Sequence, residues 1–334
     1  MARVRQPTME DVAARAGVSR ALVSIVFRDV PGAGEETRAR VRAAAAELGY
    51  RPDHRARLLG RSRTGLIGVS FGVRLAFHAD LVEALYAAAE GTGYDLTLSG
   101  VTPARPEPAA LEALVAYRCE ALICLGPTLP AARLAALAAA VPTIAVAARI
   151  RGVDAVRTDD VDGARQAVTH LLDLDHRRIA HVDGGRAPGA ADRRRSYRTT
   201  MRRAGLAGEE LVLPGGLTED DGARAARRLL ELPQPPTGVV AFNDRCAVGL
   251  LHVLRTAGRA VPRHVSVVGF DDDRLAALPH LDLTTVRQDP VELATRAVAR
   301  VVQRLTEEPA AEKHTDDVVR PRLVIRGTTA RPRR

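Results

Sequence analysis

The sequence predicts an α/β protein that carries a separate all-α segment at its N-terminal end. Three observations predict it. The first sixty residues show apolar spacing of helical period only. From Gly65 onward, short apolar runs alternate with helical stretches, the pattern of parallel sheets with right-handed crossovers. The positive charge is also unevenly spread: residues 1–64 hold 13 Arg against 7 Asp or Glu, which is +6 of a net +9. A local basic excess favours a polyanionic partner through phosphate contacts and counterion release. At 334 residues the chain exceeds one ordinary domain. Its aromatic content is 3% with no Trp, so its cores must be aliphatic.

The helices of the first segment have legible ends. Thr8 precedes an apolar pattern at Val12, Ala13 and Ala16, and Asp11 stands three places on, an acidic form of the capping box. Gly17-Val18-Ser19 breaks that helix, and Ser19 can cap the next, which carries Leu22, Val23, Val26 and Phe27. A third helix should run from Glu35 to about Leu48, with Glu35 and Glu36 at its positive end and Gly49 as its terminator.

Further on, the strand candidates are 66–71, 94–99, 121–125, 143–147, 179–182, 238–242 and 265–270. Several are wholly apolar, as strands covered on both faces should be. Seven strands exceed the needs of one small sheet, and 153–162 reads as a crossing between two α/β halves. Asp175 before His176 suggests a positive-φ turn of the kind Asp tolerates.

Cys119, Cys124 and Cys246 form neither a disulfide framework nor a zinc spacing, and Cys124 and Cys246 sit in apolar runs. No cofactor or metal is expected. The opening residues lack the apolar stretch of a signal peptide, and no run approaches a membrane span. The expected compartment is the cytoplasm, with no membrane partner.

The stretch from Asp11 to Ser24 has the mechanics of a helix-turn-helix. Ala13 or Ala14 lets two helices approach, Gly17 permits the sharp turn, and Val12, Val18 and Val23 make a shared core. The second helix then exposes Arg20, Ala21, Ser24, Ile25 and Arg28. The N-terminal part of such a helix enters the DNA major groove.

With these residues in place, the chain resembles the lac repressor/galactose repressor family of bacterial transcription factors. The resemblance is carried by TMEDVAARAGVSRALVSIVF, EETRARVRAAAAELGYRP, ARLLGRSRTGLIGV, LLDLDHRRIAHVDGG, FNDRCAVGL, VSVVGFDD, LTTVRQD and PRLVIRGTT, and it covers almost the whole chain. It implies a helix-turn-helix headpiece over 1–52, a hinge helix and linker over 53–64, and a two-subdomain, periplasmic-binding-protein-like effector domain over 65–330. Crossings between the subdomains are expected near 153–162 and 284–290. Arg20, Ala21 and Ile25 match positions that read base edges, and Ser19, Ser24 and Thr37 match phosphate contacts. In the hinge, Arg55, Ala56 and Leu59 match DNA-contacting positions, with Leu59 as the minor-groove wedge. Ile25 departs from the usual polar reader and cannot hydrogen-bond to guanine. Gly34 stands where Ser commonly caps the third helix.

For the larger domain the resemblance implies a ligand between the subdomains, where strand ends and helix N-termini converge. Arg193 aligns with an effector-binding arginine, and Asn243 and Asp271 follow strands. Phe77 and His78 match an aromatic pair near the ligand. Asp160 or Asp162 lies at the first crossing, and Gln288 lies near the second. Asn243 could instead cap the following helix, and His78 could face solvent. The effector is expected to be a carbohydrate or carbohydrate derivative. The implied partners are operator DNA with two pseudo-palindromic half-sites and a second copy of the chain in a homodimer. No apolar heptad tail follows Arg326, so a tetramer is not expected.

The expected activity is repression. An activator or global regulator of the same family is an alternative. An enzyme reading rests on Gly68-Val-Ser-Phe-Gly72, which matches the nucleophile-elbow pentapeptide around Ser70. It requires a helix immediately after the Ser, whereas 73–77 reads as a loop before a helix starting near Ala79.

Overall fold

The computed structural model describes residues 7–27, 30–50, 63–306 and 314–332. The chain divides into two compact units, Met1–Thr64 and Gly65–Arg334.

Among the described residues, the first unit contains three helices, α1 (Met9–Ala16), α2 (Arg20–Phe27) and α3 (Glu35–Leu48). The capping box at Thr8 is formed: the Thr8 N–H donates to Asp11 at 2.7 Å, and the Asp11 N–H donates to the Thr8 hydroxyl at 3.3 Å. Gly17 turns the chain at φ +64°, in the left-handed region that glycine enters without a Cβ penalty. Ser19 then caps α2, its hydroxyl accepting from the Leu22 N–H at 3.2 Å. The three helices bury Val12, Ala13, Ala16, Val23, Val26, Val41, Ala44 and Ala45 together. Gly34 precedes α3 without a side-chain cap, as its lack of a side chain requires.

The second unit has two lobes. The first is built in order from β1 (Leu66–Gly72), α4 (Ala76–Ala89), β2 (Asp95–Val101), α5 (Glu107–Ala116), β3 (Ala121–Leu125), α6 (Ala131–Ala140), β4 (Thr143–Val146) and β5 (Asp154–Thr158). The chain then passes to the second lobe: α7 (Asp160–Asp173), β6 (Ile179–Asp183), α8 (Ala190–Arg203), β7 (Leu211–Pro214), α9 (Glu219–Leu230), β8 (Gly238–Val240), α10 (Asp244–Thr256), β9 (Ser266–Asp271) and β10 (Thr284–Arg287). Next, α11 (Pro290–Thr306) returns to the first lobe and is followed there by β11 (Asp316–Val319), while β12 (Arg322–Val324) closes the second sheet. The strand orders are β11-β5-β4-β3-β1-β2 and β12-β10-β9-β8-β6-β7. Every pairing is parallel except β10 with β12.

The lobes keep separate cores. Leu293, Ala297 and Val301 of α11 join Ile67, Val69 and Leu81 in the first lobe. Ala167 and Leu171 of α7 join Ile179, Val240 and Phe270 in the second. Three segments cross between lobes: β5 to α7, β10 to α11, and β11 to β12.

Several expectations need correction. Residues 154–158 form a regular strand, where the sequence suggested only a crossing. β7, β10, β11 and β12 were not foreseen, being short and interrupted by charged residues or proline. α4 starts at Ala76 rather than near Ala79. Ser70 lies inside β1 and is buried, with Cys124 within hydrogen-bonding reach, so it is not presented on a strand-to-helix elbow. Asp175 does adopt a positive φ, +70°.

Candidate nucleic-acid interface and effector cleft

In the first unit, Val23 and Val26 turn α2 inward, which leaves Arg20 and Ala21 exposed at its first turn. Ser24 and Ile25 are half-buried. Ile25 leans on the following turn: a Cβ on Gly32 would meet its side chain at 3.6 Å. Arg38 holds that turn, donating to the carbonyls of Ala33 at 3.1 Å and Val30 at 2.7 Å. Thr37 is half-buried on the first turn of α3. Among the described residues, Arg20 pairs weakly with Glu10, exposed and at 3.8 Å. Arg28, Arg55, Ala56, Leu59 and the expected hinge helix lie outside the described residues.

In the second unit, four of the eight effector candidates come together at the carboxyl ends of the second lobe's strands. Arg193, on the first turn of α8, is buried. Its Nε donates to Asp160 at 2.7 Å and its Nη1 to the Phe242 carbonyl at 2.6 Å. The guanidinium lies 3.4 Å from the centroid of the Phe270 ring and 4.7 Å from that of Phe242, a cation–π sandwich. Asp271, at the end of β9, holds φ +118° and accepts from Gln288 Nε2 at 2.7 Å. Burial pushes its carboxyl up to about 7, against the opposing pull of Arg193 and of the Gln288 hydrogen bond.

The side chains of the other four make their contacts outside this cluster. Asn243 is an N-cap: its Oδ1 accepts from the Cys246 N–H at 2.9 Å, and its Nδ2 donates to the Leu217 carbonyl at 3.1 Å. The second option that the sequence left open for it is therefore the one formed. Asp162 turns away toward Arg165 and toward Gln166, whose Nε2 is at 2.7 Å. Phe77 packs into the first lobe's core. His78 is buried rather than facing solvent. The Gly72 N–H donates to its Nδ1 at 3.0 Å, so the neutral ring carries its proton on Nε2. Burial lowers its pKa to about 4.

Three further acids stand here: Asp244 and Asp272, which the sequence places directly after the strand-end residues Asn243 and Asp271, and Asp273, which sequence reasoning missed. Asp244 is fully buried and accepts from the Thr285 hydroxyl at 2.5 Å and the Asp273 N–H at 2.9 Å. Burial, then Asp271 and Asp273, raise its carboxyl well above the ordinary range. Asp272, at φ +57°, pairs with Arg326 at 2.6 Å and Arg287 at 2.5 Å. Asp273 accepts from the N–H groups of Leu275 and Ala276. The run of three consecutive Asp after an apolar strand was the available signal.

The lobes meet at these strand ends. A Cβ on Gly126 of the first lobe would lie 3.0 Å from His78 Nε2 and 3.7 Å from Pro188 of the second lobe. At the rim, Arg274 reaches Glu83 and, at 3.5 Å, Asp80 on α4, while Arg245 donates to the Arg74 carbonyl. A cavity of about 270 Å³ lies there between Ala76, Asp80, Asp273 and Leu275. Among the described residues no group of side chains has a metal-binding arrangement, and no helix is long and apolar enough to cross a membrane.

Residues 8–53 match the family model of bacterial regulatory proteins of the lacI family, and 168–329 match a periplasmic binding protein-like domain. The HTH-type transcriptional regulator GalR of Salmonella typhimurium is 34% identical over 97% of this chain and 96% of its own length. Among solved structures, a LacI transcriptional regulator from Rhodococcus is 48% identical with a TM-score of 0.77, covering 80% of this chain and all of that one. The lac repressor dimer bound to operator and the anti-inducer ONPF is 26% identical with a TM-score of 0.83, covering 98% and 100%. The CelR–cellobiose complex is 28% identical with a TM-score of 0.69, covering 96% and 99%. With a near full-length relative at this identity, a formed helix-turn-helix and a two-lobed parallel α/β domain, the chain belongs to the lacI family and is a DNA-binding transcriptional regulator.

Proposed function

We propose that this regulator is a repressor that binds a pseudo-palindromic operator as a homodimer and responds to a small polyhydroxylated effector held between the two lobes. The observation that carries the DNA half is the exposed Arg20–Ala21 turn at the start of α2, standing free of the helical core that positions it. Arg20 and Ala21 face base edges, with Ile25 packing on a thymine methyl, and Ser19, Ser24 and Thr37 face phosphates. Arg28, Arg55, Ala56 and Leu59 extend that surface, and the domain limits 1–52, 53–64 and 65–330 belong to the same reading. For the effector half, Arg193, Asp160, Asp271 and Gln288 converge at strand ends, where a ligand touching both lobes changes their balance. Asn243, Phe77, Asp162 and His78 support or border that site. The protein acts in the cytoplasm, where operator DNA is.

Selection of bound duplexes from a random pool, followed by gel shifts against scrambled competitor with and without sugars, tests the proposal. Enrichment of an inverted repeat whose affinity changes with a sugar is the expected result. Equal affinity for selected and scrambled duplexes under every condition overturns it.

A further inference from the structure

We propose that Glu10 is a positioning residue for base reading: its carboxylate braces the guanidinium of Arg20 and weakens the attraction of that cation for phosphates, which carry no sequence. The proposal rests on the assignment of Arg20 to base edges made above and adds to it a second residue, on the preceding helix.

Local structure fixes where the two side chains start. Glu10 is the second residue of α1, one place before Asp11, whose carboxylate accepts from the Thr8 N–H at 2.7 Å and the Thr8 hydroxyl at 2.8 Å. Arg20 is the first residue of α2, directly after Ser19, whose hydroxyl accepts from the Leu22 N–H at 3.2 Å. Both stretches of backbone are therefore held by caps. Val12 and Val23, fully buried in one core, hold the two helices against each other. From these anchors Oε1 of Glu10 comes to 3.8 Å from Nε of Arg20, with the side chains 71% and 68% exposed.

The direction of that approach matters more than its strength in water. In the free protein an exposed pair at this distance contributes little. Glu10 stands on the Nε side, however, while Nη1 and Nη2 form the end of the fork that can make two bonds to O6 and N7 of guanine. A carboxylate there restricts a long, rotamer-rich side chain without occupying the atoms that read. Docking on DNA removes water from around the pair, and the same two charges then attract more strongly.

The charge has a second consequence. The first helix of a helix-turn-helix crosses the DNA backbone. A carboxylate on it repels phosphates and offsets Arg20 in counterion release. Random duplex therefore loses attraction, while a correctly placed guanine keeps its two bonds. The positive end of α1 also favours an acid, but that contribution acts on folding stability and leaves base discrimination unmoved.

The test measures the affinity of the full-length protein for a duplex selected from a random pool and for random duplex. Wild type, Glu10→Gln, Arg20→Ala and the double variant are compared, with thermal unfolding to follow stability separately. Glu10→Gln should raise affinity for random duplex without a matching gain on the selected one. The ratio of selected to random affinity is expected to fall about threefold or more. In the Arg20→Ala background the same substitution should leave the ratio unaltered. An unchanged ratio in the Glu10→Gln protein overturns the proposal, because Glu10 then contributes bulk charge alone. A fall that persists without Arg20 also overturns it, because Glu10 then reads a base directly, as an acceptor for cytosine N4. If Arg20→Ala by itself leaves the ratio unchanged, the base-reading assignment of Arg20 fails and the proposal fails with it.

Discussion

Asp154 Oδ2 accepts a hydrogen bond from Nε of Arg304 at 2.7 Å, joining the start of β5 to the last helix across 150 residues of chain. Arg300 adds a bond at 3.0 Å, and Thr315 adds its N–H at 2.7 Å. Burial alone would raise this carboxyl, but the bonds from Arg304, Arg300 and Thr315 outweigh it and hold the group well below the ordinary range. A depressed carboxyl pKa stabilises the fold above the unfolded value, near 4, and that gain is lost as pH falls through the folded value. Asp154→Asn should cost about 3 kcal/mol at pH 7, since it removes the buried charge to which Arg300, Arg304 and the Thr315 N–H all donate. In urea titrations the difference from wild type should shrink steadily below pH 4. A penalty of equal size at pH 7 and pH 2.5 would rule out the ion-pair origin.

Two buried histidines act in a different window. His78 and His181, the latter stacked on Tyr197 at 5.5 Å, are both lowered to about 4 by burial. Between pH 6.5 and 4 the unfolded chain takes up protons that the folded chain refuses, so these groups lose stability as pH falls. Asp271, raised to about 7, works in the opposite direction over the same interval: the folded state keeps a proton that the unfolded state releases as pH rises. The overall profile therefore sums opposing slopes, and a difference measurement is required. Relative to wild type, His181→Phe should gain stability on acidification from pH 6.5 to 4, by on the order of 3 kcal/mol at most. A constant difference between the two proteins over that interval would exclude a buried neutral imidazole.

The close packing of α9 on α10 depends on two glycines. A Cβ on Gly222 would run into the Cys246 carbonyl, and one on Gly249 into that of Glu219. Neither obstacle is a side-chain tip that can swing aside. Gly249→Ala should therefore cost about 3 kcal/mol by forcing the helices apart. Gly17→Ala meets open space and carries only the left-handed backbone penalty, about 1 kcal/mol. Thermal unfolding of the two variants should rank them in that order, and the reverse order would contradict the packing geometry.

Arg20→Ala separates base reading from phosphate attraction. Arg20 is exposed and only weakly paired, so its removal should leave the headpiece folded. Affinity for the selected operator should fall about tenfold or more, and affinity for random duplex much less. Matching losses on both duplexes would restrict Arg20 to the DNA backbone.

The site was legible in parts. Arg193 and Asp271 were marked by the resemblance, but not the internal bond that ties Arg193 to Asp160. That bond brings together residues 33 apart, and the Asp271–Gln288 bond joins residues 17 apart. Asn243 carried two chemically equal options, and only the position of Cys246 and Leu217 decided for the cap. β5 was hidden because Asp154, its first residue, and Arg157, its next to last, look like loop residues until Arg304 and Asp316 pair with them.

From its sequence alone, this protein had its local breaks and caps decided: Thr8 with Asp11, Gly17, Gly49, and the apolar runs that became central strands. These depend on interactions within a few residues, which spacing and side-chain type determine directly. The tertiary structure alone decided which acid meets Arg193 and how α11 returns to the first lobe. Those outcomes depend on groups far apart in the chain, whose charge and burial have no value until the fold brings them into contact.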